Sequence, residues 1–204
     1  MNQEILKRLV ELEINHTMLG WWHENPDEQT AWEKCPRGDW MLDLLARCTP
    51  RQGRRQLFGA KAACARLALP LYECLCPDKL GPRRAIMAAE AYARGELNHC
   101  PTTAALAASD AADVAKAVAF ALRPSVVTGS RETVYAWMAA SRAASAACSA
   151  AIDGAILTAL AASYAADAAA YDTLARRSFH AGQNEMLSKC ANAVRQIFPN
   201  SPKI

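Results

Sequence analysis

Between residues 104 and 170 the chain is dominated by alanine, and that feature limits what it can fold into. Alanine is the strongest helix former, and the β-branched residues that favour strands are few. Each buried alanine removes little apolar surface from water, so helices of this kind must be stabilised by close backbone approach. The short repeats of Ala-Ala with Ser or Asp match no solenoid period. Helical hairpins packed through small residues are the simplest arrangement. Self-association into a homo-oligomer is the expected way to cover any alanine face left over.

At 204 residues the chain is long enough for one sizeable core. The reading is a single all-α domain over residues 1–204, a compact multi-helix bundle of helical hairpins with an alanine-rich C-terminal half. Within it, residues 1–31 form an N-terminal helix and loop, 32–100 a helical half containing Trp, Arg and Cys, and 101–199 the alanine-rich half.

Apolar spacing of three and four predicts a helix over 2–14, and the stretch from Gly20 to Pro26 breaks it, leaving Trp21 and Trp22 in a loop or helix end. A short helix over 27–34 follows. Asp39 is placed as the N-cap of the next helix, which Thr49-Pro50 ends. A helix over 54–69 is stopped by Pro70, and 70–82 is the longest irregular connection. Pro82 and Gly95 bracket a further helix. Thr102 or Thr103 opens one that runs to Arg123, Ser130 opens another, Gly154 marks a kink or boundary, and Gly182 precedes a last helix over 183–198. Trp40, Leu44, Phe58, Cys64, Leu67, Ile86, Trp137, Met186 and Ile197 are the expected core.

No apolar signal segment opens the chain, and the longest uncharged apolar stretch of the alanine-rich half, 154–166, is too short to span a bilayer. The expectation is a cytoplasmic protein with no membrane partner. Its eight cysteines are then reduced thiols in apolar niches. Cys74, Cys76, His99 and Cys100 offer four zinc ligands without the two-residue gaps of common zinc knuckles, so neither metal nor cofactor is expected. There is no nucleophile elbow, phosphate-binding glycine loop or His-Glu-x-x-His, and no enzyme is expected. Asp110 and Asp113 share a helix face and read as its solvated stripe.

The formal net charge of +3 implies no nucleic-acid partner, but the charge is uneven. Residues 1–46 carry nine acidic and four basic side chains, whereas 47–94 carry ten basic and three acidic. Arg47, Arg54, Arg55 and Arg66 lie on two consecutive helices, and Arg83 and Arg84 open a third, where free backbone amides also favour an anion. Arginine presents a planar fork of donors that matches phosphate or carboxylate. If these elements converge near Trp32, Trp40 or Tyr92, they form a cationic pocket with a stacking wall. The alternative is that the arginines pair with Glu33, Asp39, Asp43 and Glu90 and hold helices together.

Several segments are similar to a known family. Trp32-x-x-Cys35, Asp39-Trp40-Met41-Leu42, Leu45-Ala46-Arg47 and Ala62-Ala63-Cys64-Ala65-Arg66-Leu67-Ala68-Leu69-Pro70 resemble the immunity proteins of bacterial polymorphic toxin systems, which also occur in phage genomes. The likeness extends through Pro82-Arg83-Arg84-Ala85-Ile86, Glu90-Ala91-Tyr92-Ala93-Arg94-Gly95-Glu96 and a closing Cys190-x-x-x-Val194-Arg195-Gln196-Ile197-Phe198-Pro199. The chain departs from it at Asp43 and Tyr92, where some members carry Trp, and in an insertion around 72–76. The resemblance implies a binding role in a bacterial cytosol: a non-enzymatic immunity or counter-defence protein that neutralises a toxin or defence effector by contact. The other reading is a phage sponge that sequesters an anionic nucleotide-type signal. The candidate binding residues are Trp32, Asp39, Trp40, Arg47, Arg54, Arg55, Arg66, Arg83, Arg84 and Tyr92.

Overall fold

The computed structural model describes residues 3–50, 53–122, 131–152, 155–174 and 179–204. They form α1 (Gln3–Glu11), α2 (His16–Glu24), α3 (Glu28–Lys34), α4 (Gly38–Cys48), α5 (Arg54–Glu73), α6 (Gly81–Ala93), α7 (Thr102–Leu122), α8 (Arg131–Ala151), α9 (Ala155–Leu174) and α10 (Phe179–Ile197). The fold is all-α, and no strand occurs among the described residues. Nor is any described helix long and apolar enough to cross a membrane.

The alanines make the interior. In α7, Ala105, Ala108, Ala112, Ala115 and Ala119 are buried at alternating spacings of three and four, a single stripe turned onto α8. In α8 the buried alanines instead come in pairs, Ala139-Ala140, Ala143-Ala144, Ala146-Ala147 and Ala150-Ala151. Pairs at that period cover nearly half of the helix circumference, and with Ser141 and Ser149 buried on either side of them α8 packs against α5, α6, α7 and α9. The long α5 contacts α4, α6, α8, α9 and α10, and α4 is wedged among α5, α9 and α10. There Trp40, Met41, Leu42, Leu44 and Leu45 are all buried. The described alanines of α8 and α9 are therefore buried or half-buried within one chain.

Several boundaries differ from those read in the sequence, each for a local reason. The first helix ends at Glu11, because Glu13 takes a positive φ of 53° and redirects the chain. Asn15 then accepts the Met18 amide at 2.8 Å and caps α2, which runs through Gly20 to Glu24 instead of breaking. Its register carries Met18 and Trp22 into the core. The fourth helix begins at Gly38, so Asp39 sits in its first turn and is no N-cap. A Cβ on Gly38 would lie 2.5 Å from the Cys190 Cβ, so only glycine permits this approach of α4 to α10.

Pro70 does not stop α5, which continues to Glu73. Pro70 and Arg66 both face outward, so the carbonyl that loses its helical partner turns to solvent. Gly95, with φ of +82°, does close α6 as expected. Gly182 is buried inside α10 and is not a helix end. Of the expected core, Trp40, Leu44, Phe58, Cys64, Ile86 and Met186 are buried. Ile197 is half-buried, and Leu67 is 37% exposed on the outer face of α5. Arg123, Ser130, Gly154 and the Trp137 side chain lie outside the described residues.

Lys61 is only 1% exposed, at the centre of α5. Its ammonium donates to the Ile152 carbonyl just beyond the end of α8 and stands 4.0 Å from the Phe58 ring centroid. A cation there complements the negative end of the α8 dipole, and the aromatic face offsets part of its desolvation. Lys61→Ala should lower the unfolding free energy by about 3 kcal/mol, measured by urea denaturation, because it opens a cavity and leaves the helix end uncapped. A loss below ~1 kcal/mol would show that the helix end is held by other contacts.

Candidate functional site

Four of the candidate binding residues, Arg55, Arg66, Arg83 and Tyr92, lie along one antiparallel seam. Arg83 at the start of α6 donates twice to Glu73 at the end of α5, at 2.6 and 2.8 Å. Midway along, Arg66 grips Glu90 through two bonds of 2.7 and 2.6 Å. At the far end the Arg55 guanidinium stands 5.1 Å over the Tyr92 ring, which meets Phe58 edge-on at 4.8 Å between centroids. Spaced along the helices, these rungs tie α5 to α6 and do not point at a common centre. Glu90 is the partner that charge pairing anticipated for this region, and Glu73 is one it did not.

The other candidates lie elsewhere. Arg47 pairs with Asp43 at 2.9 Å, one turn back on α4, and donates to the Leu12 carbonyl, which anchors α1. Asp39 receives two bonds from Arg37, at 3.1 and 2.7 Å, and the same guanidinium covers the Trp40 ring at 4.7 Å. Arg54 is half-buried in the first turn of α5. Trp32 is fully buried, its indole N–H donating to the Phe198 carbonyl at 2.9 Å, so no ligand can stack on it. Arg84, next to Arg83, turns away from the seam into a separate cleft.

Trp32, Cys35, Gly38, Cys64, Cys190 and Arg195 meet at a junction in the interior. One Arg195 nitrogen donates to the carbonyls of Trp32 and Cys35, at 3.2 and 2.8 Å, and so satisfies the end of α3. Cys64 on α5 lies 3.8 Å from the Cys190 carbonyl, beside the contact of Gly38 with Cys190. The neighbouring Cys190 thiol and burial hold the Cys64 thiol well above its ordinary pKa, and burial pushes Cys35 up to about 11. Both stay protonated, the opposite of an activated nucleophile. No protein-family model matches the chain, and no curated protein or solved structure matches it. What the chain can bind therefore has to be read from its own surface.

A cleft of about 640 Å³ opens between α7 and the segment that joins α5 to α6. Tyr72, Cys76, Lys79, Leu80 and Arg84 form one wall, and Ala107, Asp110, Ala111 and Val114 the other, with Asp78 at the rim. Burial raises the Tyr72 hydroxyl to about 12, with the Cys76 thiol next to it reinforcing the shift. The charges are two of each sign: Lys79 and Arg84 against Asp78 and Asp110. Two of the apolar residues lining the cleft are left uncovered by the fold: Val114 is 62% exposed and Leu80 43%.

Of this cleft, sequence reasoning had named only Arg84 as a binding residue. A signal for the rest was present in α7. Its alanines repeat on the buried stripe, so Leu106 and Val114 fall on the opposite face, which inverts the usual amphipathic order. Among the described residues no three His, Cys, Asp or Glu side chains converge as metal ligands, the Cys74, Cys76, His99 and Cys100 set included.

The framework role of Arg195 and the seam role of Arg66 predict unequal costs. Arg195→Ala should remove about 2 kcal/mol of stability, because the α3 carbonyls lose a charged donor in a half-buried setting. Arg66→Ala should cost less than about 1 kcal/mol, its pair being open to solvent. Chemical denaturation of both variants checks the order. Thiol labelling gives a second check: Cys74 is exposed and should react in the native protein, while Cys35, Cys64 and Cys190 should react only on unfolding.

Proposed function

We propose that the protein is a non-enzymatic immunity or counter-defence protein that acts in a bacterial cytoplasm. It neutralises a toxin or defence effector by docking it at the α6–α7 cleft. The observation that carries this reading is the pairing of exposed apolar side chains with a charge-balanced rim. Val114 and Leu80 supply apolar area, and Asp78, Lys79, Arg84 and Asp110 supply orientation. Interfaces between proteins combine these two components. The family likeness agrees with a binding role. Its segments include the core around Trp32, Cys35, Cys64 and Cys190, whereas the insertion around 72–76 supplies Tyr72 and Cys76 to the cleft. Framework and recognition surface are thus different residues.

A second reading, sequestration of an anionic nucleotide, is favoured by Lys79 and Arg84 beside the first turn of α6 in a cavity of ligand size. It receives less support from the other arginines, because Arg47, Arg66 and Arg83 already hold carboxylates of their own chain.

Coexpression with a panel of toxin domains from polymorphic systems tests the first reading, with growth rescue followed by calorimetry on the purified pair. Val114→Glu and Arg84→Glu should each weaken binding about tenfold or more, the loss of one good contact. The melting temperature should not move, and Arg66→Ala should bind normally. Rescue indifferent to both cleft variants would rule the cleft out. Cyclic nucleotides and ADP-ribose derivatives test the second reading: intact ligand recovered after denaturation indicates a sponge, and altered ligand an enzyme.

A further inference from the structure

The first two helices leave a groove of about 610 Å³, floored by Leu6, Val10 and Leu19 and edged by Lys7, His16 and His23. Val10 is 58% exposed there. Gly20, at the middle of α2, also lines the groove. Glycine is the poorest helix former after proline, so at a helix centre it usually marks a lack of space. Here a Cβ would meet nothing within 4 Å. No neighbour within the described chain explains the missing side chain. Bare backbone at the exposed centre of a helix does suit a second helix crossing close to it, because interaxial distance is set by the side chains at the contact.

We propose that this face of α2 is the two-fold interface of a homodimer, with α2 of one copy lying antiparallel across α2 of the other and the two Gly20 residues at the crossing. Charge complementarity identifies the occupant. The helical repeat places His16, Thr17, Gly20, His23 and Glu24 on one face, and all five are exposed. A two-fold axis through Gly20 brings together residues equally distant from it in the two copies, one before and one after. Where the two helices cross at about −50°, the row of His16, Gly20 and Glu24 in one copy lies over the same row of the other run in reverse, so His16 of one copy meets Glu24 of the other. The His16 imidazole can donate to the Glu24 carboxylate, and the contact occurs twice by symmetry. Leu6, Val10 and Leu19 add apolar burial at the flank. The face is self-complementary, as an isologous contact requires. The proposal is independent of the α6–α7 cleft, which lies on other helices.

A contact of this size gives a weak dimer. Sedimentation equilibrium at concentrations on the order of 100 µM should show dimers in the wild-type protein. Gly20→Arg sets two guanidinium groups against each other at the crossing and should leave a monomer. Its melting temperature should be unchanged or higher, since the new side chain enters open space. His16→Glu should weaken the dimer by about tenfold, and adding Glu24→Lys should restore it. A wild-type monomer at that concentration would overturn the proposal, as would a dimer that survives both Gly20→Arg and His16→Glu. Failure of the Glu24→Lys rescue would overturn the register.

Discussion

An alanine side chain is one methyl group, so a helix rich in alanine gains from packing only where its neighbours come close on several sides at once. This requirement organises the fold. The eighth helix meets it by lying among α5, α6, α7 and α9, with alanine pairs buried over nearly half of its circumference and Ser141 and Ser149 buried beside them. Small side chains let the helices approach, and close approach lets small side chains contribute dispersion energy. The larger residues are then free to fill the one region where helices cannot lie so near. Trp32, Phe58, Met41 and Leu44 occupy the half built from α3, α4 and α5.

The two halves are joined by polar contacts at buried helix ends. Arg195 holds the end of α3, and Lys61 holds the end of α8. In each case a long basic side chain reaches carbonyls that a helix cannot satisfy for itself. The C-terminal segment completes the arrangement, with the Phe198 carbonyl on Trp32 and the Ser201 amide on Gln29. Basic residues spent in this way or in the α5–α6 seam do not form an anion-binding surface. The positive excess of the middle segment is largely structural, and a charge count cannot distinguish a guanidinium facing solvent from one already matched to a carboxylate.

The elements that sequence periodicity described best were those whose end signals were local. Pro82 and Gly95 bracket α6, and Thr102 opens α7. Readings failed where a breaker was outweighed by its surroundings. Pro70 and Gly20 sit inside helices because both face solvent, where a missing hydrogen bond or side chain costs little. Gly182 sits inside α10, where it is buried. Leu67 was read as core on apolar character alone, but Ala62, Cys64, Ala65 and Ala68 form the inner face of α5 and leave it outside. The cleft was barely legible. Its walls join residues from α5, α6 and α7, and Val114 is placed toward solvent only once the alanine stripe is known to be the buried one.

Taken alone, the sequence determined the class of fold, because alanine propensity and the scarcity of β-branched residues act locally on every residue. It also determined which positions could serve as helix ends, since caps depend on a few neighbouring side chains. Tertiary structure alone decided which face of each helix was inner, which arginines were matched, and where the uncovered apolar surface lay. Those outcomes depend on distances between helices far apart in the chain. Two bonds from Arg66 to Glu90 join residues that no local pattern links, and the exposure of Val114 follows from the side of α7 that α8 covers.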